Sequence, residues 1–230
     1  MANPLIRSNA AEVAAFLKQV SSLPAKIGQG RLIFALDATA SRQPAWDQAC
    51  QLQGAMFEAA AEMGGLQVQL VWYRGLDELH TSEWHATAAP LVQQMTKVHC
   101  AGGLTQIRRV LDHTLRESRH YSVNALIFVG DCVEEDPVAL YQRAGQLAVL
   151  GIPVFAFHED GDVHPAPAAI LRELSSITHG AYCRFDQGSA EQLKALLSAV
   201  AVYAAGGRMA LEHYSRRQGH EVKQLVHQLR

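Results

Sequence analysis

The stretch VNALIFVGD, residues 123–131, is apolar almost without interruption. A strand with one face in water carries a polar residue at every second position, so this run predicts a β-strand that is buried on both faces. RLIFALDA, residues 31–38, has the same character. Strands of this kind belong to parallel sheets that helices cover on both sides. The two stretches therefore favour an α/β fold.

Around these two strands, short β-rich runs alternate with longer helical patterns. LQVQLVWYR (66–74) and ELHTSEW (78–84) are separated only by a turn that contains a glycine, which predicts one antiparallel edge strand. Further strands are predicted at 152–158 and 181–185. The pattern as a whole predicts an open, mostly parallel, doubly wound sheet of the Rossmann-like type. Helices are predicted from the spacing of apolar residues at 44–64, 87–98, 107–115, 137–150, 167–178 and 189–204.

The composition limits the size and class of the protein. With 230 residues, 49% of them apolar, the chain has room for one large domain with appended elements. We predict an N-terminal helical extension at 1–29, the α/β domain at 30–207 and a C-terminal helical tail at 208–230. The 20 basic residues are outnumbered by 22 acidic ones. Because no basic excess is available to neutralise phosphates, nucleic acid is not expected as the main partner.

Several features indicate a cytoplasmic protein without membrane contact. The first residues include Glu12 and no uninterrupted apolar region, so they do not resemble a secretory signal. No apolar stretch reaches the length of a membrane span. Cys50, Cys100, Cys132 and Cys183 lie far apart and form no CxxC pair. This distribution is typical of reduced thiols in a cytoplasm.

Polar oxygens occur where the predicted strands end. Asp37 ends the first strand, and Thr39 and Ser41 follow it at intervals of two residues. Asp131 ends the strand at 123–131, and the loop Gly-Gly-Leu-Thr supplies Thr105 at the start of a helix. The carboxyl ends of parallel strands form the ligand-binding edge of open α/β sheets. Carboxylates and hydroxyls without cysteine or histidine favour Mg²⁺ or Mn²⁺ over zinc.

These residues resemble the von Willebrand factor A domain and its metal-ion-dependent adhesion site. The family pattern is Asp-x-Ser-x-Ser after the first strand, a Thr after a Gly-Gly loop and an Asp at the end of the fourth strand, usually followed by Gly. The resemblance covers residues 30–205. This chain departs from the pattern at three positions, where Thr39 replaces the first Ser, Leu104 is additional and Cys132 replaces the usual Gly.

The resemblance implies a binding device and no catalysis. A bound Mg²⁺ leaves one coordination position open, which an Asp or Glu of a partner protein can fill. It implies an adaptor, and intracellular relatives suggest by analogy alone that the partner is an AAA+ ATPase. The implied metal ligands are Asp37, Thr39, Ser41, Thr105 and Asp131, and the implied rim or partner-binding residues are Gly103, Cys132 and His158.

Each of these residues taken alone also has a purely structural interpretation. An Asp that ends a strand is often a turn or cap residue, and Thr105 is a good helix N-cap. The fold could also persist around a metal site that has decayed. It is the set of five residues, each at the expected boundary of an element, that favours a metal site.

The sequence is also compatible with two other functions. The first is a Mg²⁺-dependent phosphohydrolase similar to the haloacid dehalogenases, with Asp37 as nucleophile. That family places a second acid two residues later, where this chain has Thr39, and Thr39 cannot transfer the proton. The second is a structural scaffold that acts through its terminal helices.

Overall fold

The computed structural model describes residues 30–40, 43–61, 65–159, 165–185 and 190–217. Within these ranges the chain forms six strands and six helices that alternate for most of its length. The strands are β1 (Gly30–Asp37), β2 (Leu66–Arg74), β3 (Glu78–His85), β4 (Ala125–Gly130), β5 (Val154–Glu159) and β6 (Ala181–Phe185). The helices are α1 (Gln43–Ala61), α2 (Ala88–Met95), α3 (Ile107–Glu117), α4 (Pro137–Val149), α5 (Ala166–Ile177) and α6 (Ala190–Arg217).

The six strands form one sheet in the order β3-β2-β1-β4-β5-β6. All neighbouring pairs are parallel except β2 and β3, which are antiparallel. The predicted open sheet with one antiparallel edge strand is therefore confirmed. The chain leaves β1 towards β2 on one side and later returns to place β4 on the other side. The carboxyl ends of β1 and β4 thus form the topological switch point, where such sheets bind ligands.

Helices cover both faces of the sheet and bury the two central strands. Side chains of β1 alternate between the two resulting cores, with Phe34 packed among α1, α2 and α6 and Ile33 packed towards α3, α4 and α5. Every residue of β4 is buried. Full burial of a Leu, Ile or Phe side chain contributes about 1.5–3 kcal/mol to folding. This burial explains why the two central strands lack the alternation of a half-exposed strand.

The two predicted terminal segments fall mostly outside the described residues. Residues 1–29 and 218–230 are among those that the structure does not describe. Helix α6 runs to Arg217 with a break at Gly207, whose φ of 69° favours a residue without a Cβ. This break lies at the predicted boundary between the α/β domain and the C-terminal tail. In the ranges that the structure describes, no helix has both the length and the apolar character needed to cross a membrane.

Candidate metal site

The carboxyl ends of β1 and β4 lie side by side. Leu36 pairs with Val129 in the parallel register, so Asp37 and Gly130 come next on the two strands. A Cβ added to Gly130 would lie 3.6 Å from the Cβ of Asp37. Asp131 is the following residue and is partly exposed. The structure therefore brings Asp37 and the Asp131 segment to the same edge of the sheet.

Hydrogen bonds fix the orientation of the Asp37 carboxylate. Asp37 is only 2% exposed. Its Oδ1 accepts a hydrogen bond of 2.8 Å from the backbone N–H of Thr39, and its Oδ2 accepts one of 3.0 Å from the hydroxyl of Tyr73. Both donors are neutral, so they orient the carboxylate without neutralising a charge. The two-residue spacing thus lets the backbone N–H of Thr39 bind the Asp37 carboxylate. Coordination by the Thr39 hydroxyl stays a prediction.

Thr105 is held by the loop between β4 and α4. The Oγ1 of Thr105 accepts a hydrogen bond of 2.9 Å from the backbone N–H of Glu134, and the Thr105 N–H donates one of 2.9 Å to Glu134 Oε2. The Glu135 carboxylate accepts hydrogen bonds of 2.7 and 2.8 Å from the N–H groups of Ile107 and Arg108. The two glutamates therefore attach the Asp131 loop to Thr105 and to the start of α3.

Glu135 supplies the negative charge that the start of α3 lacks. This helix has no acidic residue in its first turn, and its N-cap residue Gln106 makes no side-chain capping bond. Burial raises the pKa of Glu135, while hydrogen bonds from the backbone of Arg108 and Ile107 and from the Thr105 side chain oppose this effect. Sequence reasoning did not identify Glu134 or Glu135 as site residues. The available signal was a pair of acids after Asp131 together with a helix that has no cap of its own.

His158 supports the Asp131 loop from inside. It pairs with Gly130 across the β4–β5 register and is only 4% exposed. A carbonyl oxygen can only accept a hydrogen bond, so His158 Nε2 carries the proton that is donated to the Asp131 carbonyl oxygen at 3.0 Å. His158 Nδ1 then accepts from the Tyr182 hydroxyl at 2.8 Å. The residue is positioned to hold the loop, and its burial removes it from the exposed rim on which sequence reasoning placed it.

The remaining predicted residues lie at the outer side of the site. Cys132 is partly exposed and Gly103 is exposed. The loop that contains Gly103 is attached to the first loop, because the Ala101 N–H donates to the Ala38 carbonyl oxygen at 3.1 Å. Ser41 lies outside the described residues. The loops that follow β1, α2 and β4 therefore form one connected structure around Asp37.

The described donors suit a hard divalent cation. A carboxylate has about four acceptor positions and a hydroxyl has two, so groups of both kinds can accept a hydrogen bond and also bind a cation. Across the described ranges, no group of three or more His, Cys, Asp or Glu side chains could hold a metal ion. A metal site at this edge would therefore need hydroxyl oxygens in addition to carboxylates, which is the combination that the sequence predicts. This donor set fits Mg²⁺ or Mn²⁺.

A cavity of about 690 Å³ lies elsewhere, between α3 and α4. Its lining includes Asp112, Arg116, Arg143 and Val149. None of the predicted metal ligands or partner-binding residues lines this cavity. Arg143 forms an ion pair of 2.6 Å with Asp112 within this groove. The groove has no group in common with the carboxyl ends of β1 and β4.

The chain is similar to known proteins in its structure. No protein-family model matches the sequence, and no curated protein matches it. The fold is similar to that of a von Willebrand factor type A protein from Catenulispora acidiphila, with a TM-score of 0.60 and 16% identity over 78% of this chain and 44% of that chain. An aerotolerance-related membrane protein from Bacteroides fragilis gives a TM-score of 0.58 and 15% identity over 76% of this chain and 98% of that chain.

A third similar structure is proximal thread matrix protein 1 from the mussel byssus, whose metal-ion-dependent adhesion site is occupied by zinc. Its TM-score is 0.57, with 15% identity over 76% of this chain and 46% of that chain. The present chain thus spans less than half of the Catenulispora and mussel proteins. Identities this low demonstrate the fold alone. The chain has the von Willebrand factor A fold.

Proposed function

We propose that this protein binds Mg²⁺ or Mn²⁺ at the carboxyl ends of β1 and β4, and that the ion binds a carboxylate of a partner protein. The observation that carries the proposal is the buried carboxylate of Asp37, which the Thr39 N–H and the Tyr73 hydroxyl orient. This carboxylate lies at the carboxyl end of β1, beside the Asp131 segment and connected through the loops to Thr105. Oxygen ligands at such a strand edge suit a divalent cation.

The ligands in this proposal are Asp37, Thr39, Ser41, Thr105 and Asp131. Glu134 and Glu135 position Thr105 through the β4–α4 loop, and His158 positions the backbone of Asp131. When bound, the ion would supply one open coordination position that favours a carboxylate oxygen. The residues around the ion thus bind it and orient its ligands, as a recognition site requires.

We favour protein binding over catalysis. In the phosphohydrolase alternative Asp37 attacks a phosphate, but both of its oxygens accept hydrogen bonds, and Thr39 stands where that reaction needs an acid. The proposal includes an adaptor role in the cytoplasm, which the wide separation of the four cysteines in the sequence supports. An AAA+ ATPase as partner remains an analogy.

Thermal unfolding with and without metal tests the proposal. We expect millimolar Mg²⁺ or Mn²⁺ to raise the Tm of the wild type, because a ligand that binds only the folded state stabilises it. Asp37→Asn keeps an acceptor for the Thr39 N–H but loses the charge, so the metal-induced rise in Tm should disappear. Asp77→Asn, which removes a fully exposed carboxylate at the same end of the sheet, is the matched control and should respond like the wild type.

Two results would contradict the proposal. One is a wild-type Tm that does not change with either metal. The other is an equal metal response in the wild type and in Asp37→Asn. Hydrolysis of an aryl phosphate by the wild type but not by Asp37→Asn would favour the phosphohydrolase instead.

A further inference from the structure

Two leucines are exposed beside the candidate site. Leu76 lies in the turn between β2 and β3 and is 71% exposed, and Leu104 precedes Thr105 and is 49% exposed. Leu104 is the additional residue that separates this chain from the family pattern. Two large apolar side chains on adjoining loops form a patch that water solvates poorly. We call Leu76 and Leu104 the leucine pair.

Backbone contacts fix the loops that carry the leucine pair. The Leu104 N–H donates a hydrogen bond of 3.0 Å to the carbonyl oxygen of Gly75, the residue before Leu76. The Gln106 side chain donates to the carbonyl oxygens of Arg74 and Gly75 at 3.0 and 3.4 Å. A Cβ on Gly103 would overlap the backbone of Gly75, so the two loops touch directly. The leucine pair is therefore presented in a defined arrangement.

Two arginines near the leucine pair each face a carboxylate. Arg74 and Glu78 form an ion pair of 2.8 Å. Arg109 donates to the Asp77 carbonyl oxygen at 2.7 Å, and its guanidinium lies 3.9 Å from the Asp77 carboxylate. Each of these two basic groups therefore already faces a carboxylate. An apolar contact is thus what the two leucines themselves offer to a partner.

We infer that the partner segment carries a large apolar side chain close to its metal-binding carboxylate, and that this side chain packs against Leu76 and Leu104. The inference rests on the proposed function, because it places the apolar contact next to the carboxylate that completes the coordination of the ion. Thr105 follows Leu104 directly, so one extended segment can reach both. The partner motif is then an Asp or Glu with a Leu, Ile, Met or Phe within a few residues.

A peptide array provides the test. The probe is a set of short peptides, each with one central Asp, in which the flanking positions are replaced in turn by Leu, Ser or Lys, and binding is measured in Mg²⁺ and in EDTA. Each peptide has a matched version with Asn in place of Asp. The proteins compared are the wild type, the double variant Leu76→Ser/Leu104→Ser, and Leu150→Ser as a control. Leu150 is 48% exposed, close to the value for Leu104, but lies after α4 in the α3–α4 groove.

We expect the wild type and Leu150→Ser to bind Asp peptides with a flanking Leu about tenfold more tightly than those with Ser, and only in Mg²⁺. The double variant should still bind Asp peptides in Mg²⁺ but without this preference. Mg²⁺-dependent binding that ignores the flanking residue in the wild type would overturn the inference and leave the proposed function intact. Absence of any binding that needs both Asp and Mg²⁺ would overturn the proposed function. Thermal unfolding of each variant verifies that it is folded.

Discussion

Two buried polar pairs lie on the same face of β2, four residues apart. Tyr73 donates to Asp37 at the carboxyl end of the strand, and Gln69 accepts from His113 nearer the middle. Both pairs pack beside the apolar core formed with α3, α4 and α5. The Gln69–His113 pair is neutral, and the Gln69 amide also donates to the Ser82 carbonyl oxygen at 3.1 Å. The Tyr73–Asp37 pair contains a carboxylate.

The two pairs differ in charge, although they lie on the same face of one strand. The hydrogen bond between the His113 imidazole and the Gln69 amide oxygen joins two neutral groups, so this pair has no charge to offer a ligand. The Tyr73 hydroxyl is also a neutral donor, but its acceptor is a carboxylate, a group that can bind a cation. The carboxylate lies at the strand end, where loops give access, while the neutral pair lies inside. Position along β2 thus separates the structural pair, Gln69 and His113, from the proposed binding pair, Tyr73 and Asp37.

The largest expected effect concerns the structural pair. His113→Phe leaves the buried Gln69 carbonyl oxygen without its donor, which should lower the free energy of unfolding by about 1–3 kcal/mol. Adding Gln69→Leu removes that unsatisfied oxygen, so the double variant should recover most of the loss. Urea unfolding of the wild type, both single variants and the double variant measures this cycle. A double variant less stable than His113→Phe would show that the pair is not a self-contained unit.

Replacement of the donor in the binding pair should have a smaller effect on stability. Tyr73→Phe removes one hydrogen bond to Asp37 and should cost about 0.5–1.5 kcal/mol, because Thr39 still orients the carboxylate. The Kd for Mg²⁺ should rise by at most about tenfold. His113→Phe is the control, since it should leave the Kd unchanged. Equal changes of Kd in the two variants would remove the distinction between the pairs.

The smallest expected effect is a pH dependence of the structural pair. Burial lowers the pKa of His113 below its ordinary value of 6.5, and Arg116 acts in the same direction while Glu117 opposes it. As the pH falls below 6.5, the unfolded chain therefore binds a proton that the folded protein does not, and the folded state loses stability. The stability advantage of the wild type over His113→Phe should shrink from pH 7 to pH 5 in urea unfolding. An advantage independent of pH over this range would contradict the assignment.

The sequence predicts the strands and the edge of the sheet well because burial has a local signature. The uninterrupted apolar runs of β1 and β4 and the turn before β3 can be identified without any knowledge of neighbours. Asp37, Asp131 and Thr105 could be selected because each stands at the boundary of an element. Helix α2 is shorter than expected and ends at Met95, since the residues up to Gln106 form the loop that carries Thr105.

The supporting contacts could not be predicted in the same way. Glu134 and Glu135 look like solvated loop acids in the sequence, yet they bind Thr105 and the start of α3. His158 looks like a polar residue at a strand end, yet it is buried under the Asp131 loop. These contacts depend on which loops the packing of α3 against α4 brings together. No local pattern encodes that choice.

The order of apolar and polar residues alone thus determined an α/β sheet with carboxylate and hydroxyl side chains at its carboxyl ends, because burial on one or both faces imposes a periodicity that short segments carry. The tertiary structure decided which groups hold those oxygens in place. Tyr73 reaches Asp37 only because β1 and β2 are in parallel register, and the loops of Leu76 and Leu104 meet only because Gly103 lets two backbones touch. Hydrogen bonds need their partners at a fixed distance and angle, and distant parts of a chain meet that condition only after the fold has formed.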